Sequence, residues 1–273
     1  MSEAGWLLQA QGLRKCHGER VVFDALALQA RAGEAVALVG PSGCGKTTLL
    51  HLLAGLDDAD GGSIRYRFSS DLGGSGTGAA SVAGAVGETV EFSALDERGR
   101  TRIRRRYMGF VFQFYNLVPT LTVADNITLP RRLNGLPPDG DAEALARLAR
   151  LGLVGRDAAW PSQLSGGEQQ RVAIARALAH GPRVLFADEP PGNLDVRQAD
   201  EVLDLLLAHA RAQGAAVIYA THSERLAARA DRVLDMSLEP ARPPVRDPAT
   251  DGACDSMLDG ATSTNAPCSA GAR

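Results

Sequence analysis

The chain is short of cysteine, of long apolar runs and of charge of one sign, and each shortage removes a class of function. Four cysteines, Cys16, Cys44, Cys254 and Cys268, are spread over 273 residues. They show neither paired metal-ligand spacing nor a disulfide framework, so a reduced, cytosolic setting is the expectation. No window reaches the roughly 18 uninterrupted apolar residues of a membrane span. The opening "MSEAGWLLQAQGLRK" lacks the basic start and long apolar stretch of a secretory leader. Any membrane role is therefore expected to come through a partner. Basic residues number 29 and acidic residues 32, net -3, which leaves no field to steer the chain to nucleic acid. No repeat recurs at solenoid periods. What remains is a chain long enough to bury a core, as one large domain or two small ones.

Within it, residues 6–39 are predicted as short strands, "LLQAQGL" and "VVFDALALQA" alternating roughly by two. Gly33 turns the chain into "EAVALVG", a compact apolar strand, and "DADGG" at 58–62 is turn chemistry. Residues 69–88 are nearly all small and hold too few large apolar groups to offset ordering entropy, so a flexible surface insertion is expected. "RGRTRIRRRY" at 98–107 predicts a helix with a solvated basic face, or one that meets an acidic partner or lipid headgroups. Residues 141–151 have helical spacing. Ser165 with Glu168 fits a capping box, and Val172, Ile174, Ala175 and Leu178 supply that helix's apolar face until Gly181-Pro182 stops it. "VLFA" and "AAVIYA" are buried strands around the helix "VRQADEVLDLLLAHARAQ", which Asp195 can cap and Gly214 ends. Strands alternating with helices predict an α/β fold with a largely parallel sheet covered on both faces. From Glu239 onward the composition is Pro, Ala, Asp, Ser, Thr and Gly, and 239–273 is read as a disordered tail.

Three stretches carry chemistry. "GPSGCGKTT" at 40–48 fits G-x-x-x-x-G-K-[ST] between an apolar strand and a helical pattern, the context that motif needs. Gly40, Gly43 and Gly45, with Pro41, Ser42 and Cys44 between them, let backbone N–H groups curl round phosphate oxygens, and the helix start at Thr47 and Thr48 adds positive potential. Lys46 can reach β- and γ-phosphates, and the Thr47 hydroxyl can ligate Mg²⁺. "LSGGEQQRVAIARAL" at 164–178 puts Ser165, Gly166 and Gly167 at a second helix start, a second anion site. One triphosphate already has its own loop, so the second site makes sense against a phosphate held by another copy. "RVLFADEPPGNLD" at 183–195 ends an apolar run on Asp188 and Glu189; alone it reads equally as a strand ending in a turn or as a magnesium and water site.

Taken in order, these motifs resemble the ATP-binding cassette (ABC) transporter ATPases over about residues 6–236. "GPSGCGKT" looks like the Walker A loop, "LSGGE" the family signature, "VLFADE" Walker B, "GNLD" the D-loop, His222 in "ATHS" the switch histidine, and Gln113 in "GFVFQ" the Q-loop glutamine. The resemblance implies a P-loop NTPase of ABC type over 1–238, with a RecA-like mixed or parallel core, an N-terminal antiparallel β-subdomain and a helical subdomain at about 114–180. It implies a head-to-tail dimer with two ATP between P-loop and signature. Asp188, Thr47 and Gln113 would serve Mg²⁺, Glu189 would be the general base, His222 would contact the γ-phosphate, Ser165 and Gly167 the opposite γ-phosphate, and Asp195 would face the other subunit. "MGFVFQFYNLVPTLTVADNITLP" with "DEPPGNLD" is similar to the lipoprotein-releasing and macrolide-exporter group, which implies a separate membrane permease at the cytoplasmic face, received in a groove for which Phe114, Tyr115, Leu117 and Leu121 are candidates. An importer ATPase, or less readily a soluble non-transport ABC protein, is the alternative. Three departures stand out: His17 where an aromatic stacks on adenine, Pro191 where the group has Thr, and the length of the 69–88 insertion.

Overall fold

The computed structural model describes residues 5–68, 89–190 and 196–237. The glycine-rich insertion, the tail, Pro191 and Asp195 lie outside the described residues.

Two sheets carry the fold. The first is antiparallel, in the order β2 (Arg20–Arg31), β1 (Trp6–His17), β4 (Gly61–Arg67), β5 (Thr89–Glu91). Of the short strands expected over 6–39, the first two are instead a hairpin of two 12-residue strands, while the compact strand expected after Gly33 is present at Ala35–Val39. Register shifts along their ladder break the two-residue alternation, which is why the sequence looked interrupted there. The "DADGG" turn also ends earlier than expected, because Gly61 and Gly62 already belong to β4. Gly62 lies so close to the Gly12 carbonyl that a Cβ would stand 2.5 Å from it, so this pairing admits glycine only.

The second sheet is parallel, in the order β6 (Met108–Val111), β7 (Val184–Asp188), β8 (Ala216–Ala220), β3 (Ala35–Val39), β9 (Arg232–Asp235). Its central strands are apolar up to Asp188 at the end of β7, because both faces are covered. Val36, Leu38, Val184, Phe186 and Ile218 point into one core with Leu49, Leu50, Leu52 and Leu53 of α1 (Lys46–Ala54). The alternate residues Ala37, Leu185, Ala187, Val217 and Tyr219 point into a second core with Val202, Leu203, Leu206 and Leu207 of α6 (Val196–Ala212). The four α1 leucines bury enough surface for roughly 6–12 kcal/mol as an upper bound, which fixes the start of that helix against the sheet.

Helix α2 (Glu97–Tyr107) precedes β6; it is capped by the Asp96 side chain and buries Gly99 and Ile103, while Arg98, Arg102 and Arg105 stay exposed. A third core joins α3 (Val123–Leu133) and α4 (Asp141–Arg150) to α5 (Gly166–Leu178). Helix α5 is buried on two sides: Val172 and Ala175 enter this third core, Ile174, Ala177 and Leu178 the second. Its start is held by the Ser165–Glu168 capping box, with each side chain bonded to the other residue's backbone N–H. A short helix α7 (Glu224–Ala227), capped by Ser223, follows β8.

Candidate functional site

Four neighbouring parallel strands end at one rim, and each delivers polar groups there: β3 runs into the glycine loop, β6 leads to Gln113, β7 ends on Asp188 and Glu189, and β8 leads to Thr221 and His222. This is the carboxyl edge at which open α/β sheets bind ligands. A cavity of about 390 Å³ opens there, lined by Ser42, Gly43, Gly45, Lys46, Thr47, Gln113, Asp188, Glu189 and His222.

The loop is shaped by its glycines. Gly45 takes φ +100°, and a Cβ on it would stand 2.5 Å from Val22 Cγ1. Gly45 thus lets the loop turn into α1 while the β2 side chains close in behind it. Lys46 is buried, and its ammonium donates to the carbonyls of Gly40 (2.7 Å) and Pro41 (3.0 Å), spanning the loop. Cys44 and Thr48 are half-buried and line no part of the cavity; Arg20 reaches in from the hairpin to the Gly43 carbonyl at 3.2 Å.

Asp188 is buried and accepts a hydrogen bond from the Thr47 hydroxyl. Burial first, and then the Glu189 charge, push its carboxyl above the usual carboxylate range, against the pull of Thr47, His51 and Lys46. Glu189 is held in the left-handed region at φ 44°, a conformation that costs a non-glycine residue about 1–2 kcal/mol. Its N–H donates to the Ala220 carbonyl at the end of β8 (3.1 Å), and its Oε1 lies 3.2 Å from His222 Nδ1. The two strand ends are thereby tied to each other by backbone and side chain. Thr221, also buried, steadies the His222 turn: its N–H donates to the Leu38 carbonyl and its hydroxyl accepts from Ser223 N–H.

Not every candidate residue gathers at this cavity. His17 sits exposed at the end of β1, paired with Arg20 across the hairpin, and does not line it. Ser165, Gly166 and Gly167 stand at the start of α5 and do not line it either; Ser165 and Gly166 face solvent. Beyond Gln113, Phe114 is 71% exposed. Tyr115, Leu117 and Leu121 are half-buried, and Leu117 packs on the third core.

Two residues that shape this region were not picked out from the sequence. Asn126, fully buried on α3, accepts from Val118 N–H (2.8 Å), and its two amide hydrogens are shared among the carbonyls of Val118, Leu121 and Thr122. Arg176 on α5 donates to the carbonyls of Tyr115 (2.9 Å) and Asn116 (2.6 Å). Each was visible only as a polar residue inside an apolar helical pattern, a weak signal without knowledge of what lies opposite.

A glycine loop opening a helix at the edge of a parallel sheet, with a buried lysine, a Thr–Asp pair and a Glu–His pair, defines a P-loop nucleoside triphosphatase. Comparison with known proteins narrows the class. The family model described as ABC transporter matches residues 23–192. The chain is 46% identical over 211 residues to the lipoprotein-releasing system ATP-binding protein LolD of Paramagnetospirillum magneticum, covering 77% of this chain and 84% of that protein. It is 42% identical over 225 residues to an uncharacterized ABC transporter ATP-binding protein of Mycobacterium tuberculosis, covering 82% of each. Among solved structures, the dimeric post-hydrolysis state of the ATP-binding cassette MJ0796 bound to ADP and Pi matches with a TM-score of 0.69 at 31% identity, over 86% of this chain and 97% of that one. The chain belongs to the ABC transporter family. It is the ATP-binding, ATP-hydrolysing subunit type of that family.

Proposed function

We propose that two copies of this chain sandwich two ATP molecules and drive a separate membrane permease of the lipoprotein-releasing kind from the cytoplasmic face. The observation that carries this reading is the division of the site: the cavity holds Lys46, Thr47, Gln113, Asp188, Glu189 and His222, while the Ser165–Gly166 helix start faces solvent away from it. A helix start open to solvent can serve an anion presented by a second copy. The solved relative MJ0796 is dimeric and has been seen with ADP and Pi.

Within each site, Lys46 and the loop N–H groups bind the β- and γ-phosphates. The oxygen donors Thr47 hydroxyl, Asp188 carboxylate and Gln113 amide suit Mg²⁺, which is held by few carboxylates and completes its shell with phosphate and water. The buried Asp188 carboxylate, held above its usual pKa range by burial, is the group a cation would compensate. When bound, the metal neutralises charge on the phosphate oxygens. Glu189 takes the proton of the attacking water as its oxygen bonds to the γ-phosphorus and the bond to the β-phosphate oxygen breaks. His222, at 3.2 Å from Glu189 Oε1, orients that carboxylate and reaches toward the γ-phosphate. Ser165 and Gly167 of the second copy cover the same phosphate, and His17 flanks the adenine. Asp195 faces the other subunit.

The permease side is the stretch after Gln113, where Phe114 is a large apolar residue left in solvent. No helix among the described residues is long and apolar enough to cross a membrane. The ATP-binding domain spans 1–238, with its helical part at about 114–180. The test is to purify the tagged chain from membranes with ATP. Recovery of an integral protein with few spans and a large soluble domain supports the reading. Recovery of ribosomes or nucleic acid without a membrane protein overturns it.

A further inference from the structure

We propose that Arg176 is a positioning residue for Gln113: its guanidinium holds the turn at Phe114–Asn116 in the conformation from which Gln113 reaches the phosphate cavity. The inference rests on the reading above, that the cavity lined by Gln113 is where ATP is hydrolysed.

The turn is unusual in its own right. Tyr115 has φ 55° and Asn116 has φ 48°, two consecutive non-glycine residues in the left-handed region. Asn116 N–H donates to the Phe114 carbonyl at 2.5 Å, the hydrogen bond of a three-residue turn, with the positive φ of its rare and strained form at Tyr115. Such conformations persist when the surroundings over-determine them. Here the carbonyls of both left-handed residues point at one group. Arg176 Nη2 donates to Tyr115 and Nη1 to Asn116. A planar fork can bridge two adjacent carbonyls in fixed geometry, which a lysine ammonium cannot reproduce. Among the described residues no carboxylate pairs with this guanidinium, and burial lowers its pKa, so the two carbonyls replace the water it has lost.

The other end of the turn is seated as well. The Tyr115 ring runs along α5 toward its start, where a Cβ on Gly166 would lie 2.9 Å from the Tyr115 hydroxyl. The helix that presents Ser165 to solvent therefore carries the turn on its surface, at Gly166 and again at Arg176. Gln113, two residues before Tyr115, is placed relative to that helix as much as to its own strand. A shift of α5 when a second copy engages would reach Gln113 along this path.

The test is a kinetic cycle on the full-length chain with three variants: Arg176→Gln, Arg176→Lys and Arg176→Gln with Asn116→Gly. Loss of the fork is expected to lower kcat by roughly 10- to 100-fold through misplacement of Gln113, with KM for ATP changed less than about threefold. Lysine, which keeps charge and reach, should show the same kcat-specific loss. Glycine takes positive φ at no steric cost, so Asn116→Gly in the Arg176→Gln background should regain at least about fivefold in kcat. A role in packing alone would not respond to a glycine at 116. Wild-type kcat in Arg176→Lys, or no recovery in the double variant, overturns the proposal. Absence of ATPase activity in the unmodified chain would instead mark failure of the underlying reading.

Discussion

Replacing Asn126 by alanine should loosen the segment between Gln113 and α3 by a calculable amount. The Asn126 side chain is 0% exposed and makes four hydrogen-bond contacts to the loop before its own helix. Two of the loop groups have other partners: the Val118 carbonyl also accepts from Leu121 N–H, and the Thr122 carbonyl from Asn126 N–H. Among the described residues, Val118 N–H and the Leu121 carbonyl have none besides Asn126. Asn126→Ala therefore strands two half-buried groups at roughly 1–2 kcal/mol each, about 2–4 kcal/mol in all. Against a domain stability of about 5–15 kcal/mol this is a large fraction. Equilibrium urea unfolding of the ligand-free chain should show it as a lower midpoint with an unchanged slope. Asn126→Asp sharpens the chemistry: it keeps an acceptor for Val118 N–H but turns a negative charge on three carbonyl oxygens, so at pH 7 it should lose more than alanine. A loss under about 0.5 kcal/mol for alanine, or a smaller loss for aspartate than for alanine, would refute the reasoning.

Two further perturbations act at the cavity itself. Because burial holds the Asp188 carboxyl above its ordinary value of 3.8, the native chain binds more protons than the unfolded one between that value and the raised one; stability falls as pH rises through the window, and the penalty is fully present above it. Asp188→Asn should therefore raise the melting temperature of the ligand-free chain at pH 7, lose that advantage toward pH 3.8 and abolish ATP hydrolysis; a lower melting temperature at pH 7 would contradict this. Gly45→Ala places a Cβ 2.5 Å from Val22 Cγ1 at a φ of +100°, so ATP affinity should fall by at least about tenfold in a fluorescent-nucleotide titration and stability by roughly 1–3 kcal/mol.

The sequence made the phosphate loop, the capped helix at Ser165 and the acid pair at Asp188 and Glu189 readable because each is written within a few neighbouring residues. Strand–loop–helix chemistry is local, and so is a capping box. The long β1–β2 hairpin was harder: its register shifts spoil the alternation on which a strand is recognised. Gly61 and Gly62 resembled a turn because glycine signals punctuation, whereas here one of them serves close contact between strands. Arg176 and Asn126 were illegible for a deeper reason. Arg176 meets backbone carbonyls 60 and 61 positions away, and Asn126 meets a loop whose shape it creates. Neither partner is a side chain with a chemical identity to pattern-match. The strained backbone at Glu189 was equally hidden, since glutamate gives no sign of a positive φ, least of all before Pro190.

The claim that two copies complete one another's sites is tested most directly by Glu189→Gln in the full-length chain. With the general base removed and the binding groups intact, the variant should bind ATP, stop turning over and run as a dimer holding two ATP in sedimentation analysis, reverting to monomer when the nucleotide is removed. A variant that remains monomeric at saturating ATP, or that hydrolyses ATP at the parent rate, would contradict the account.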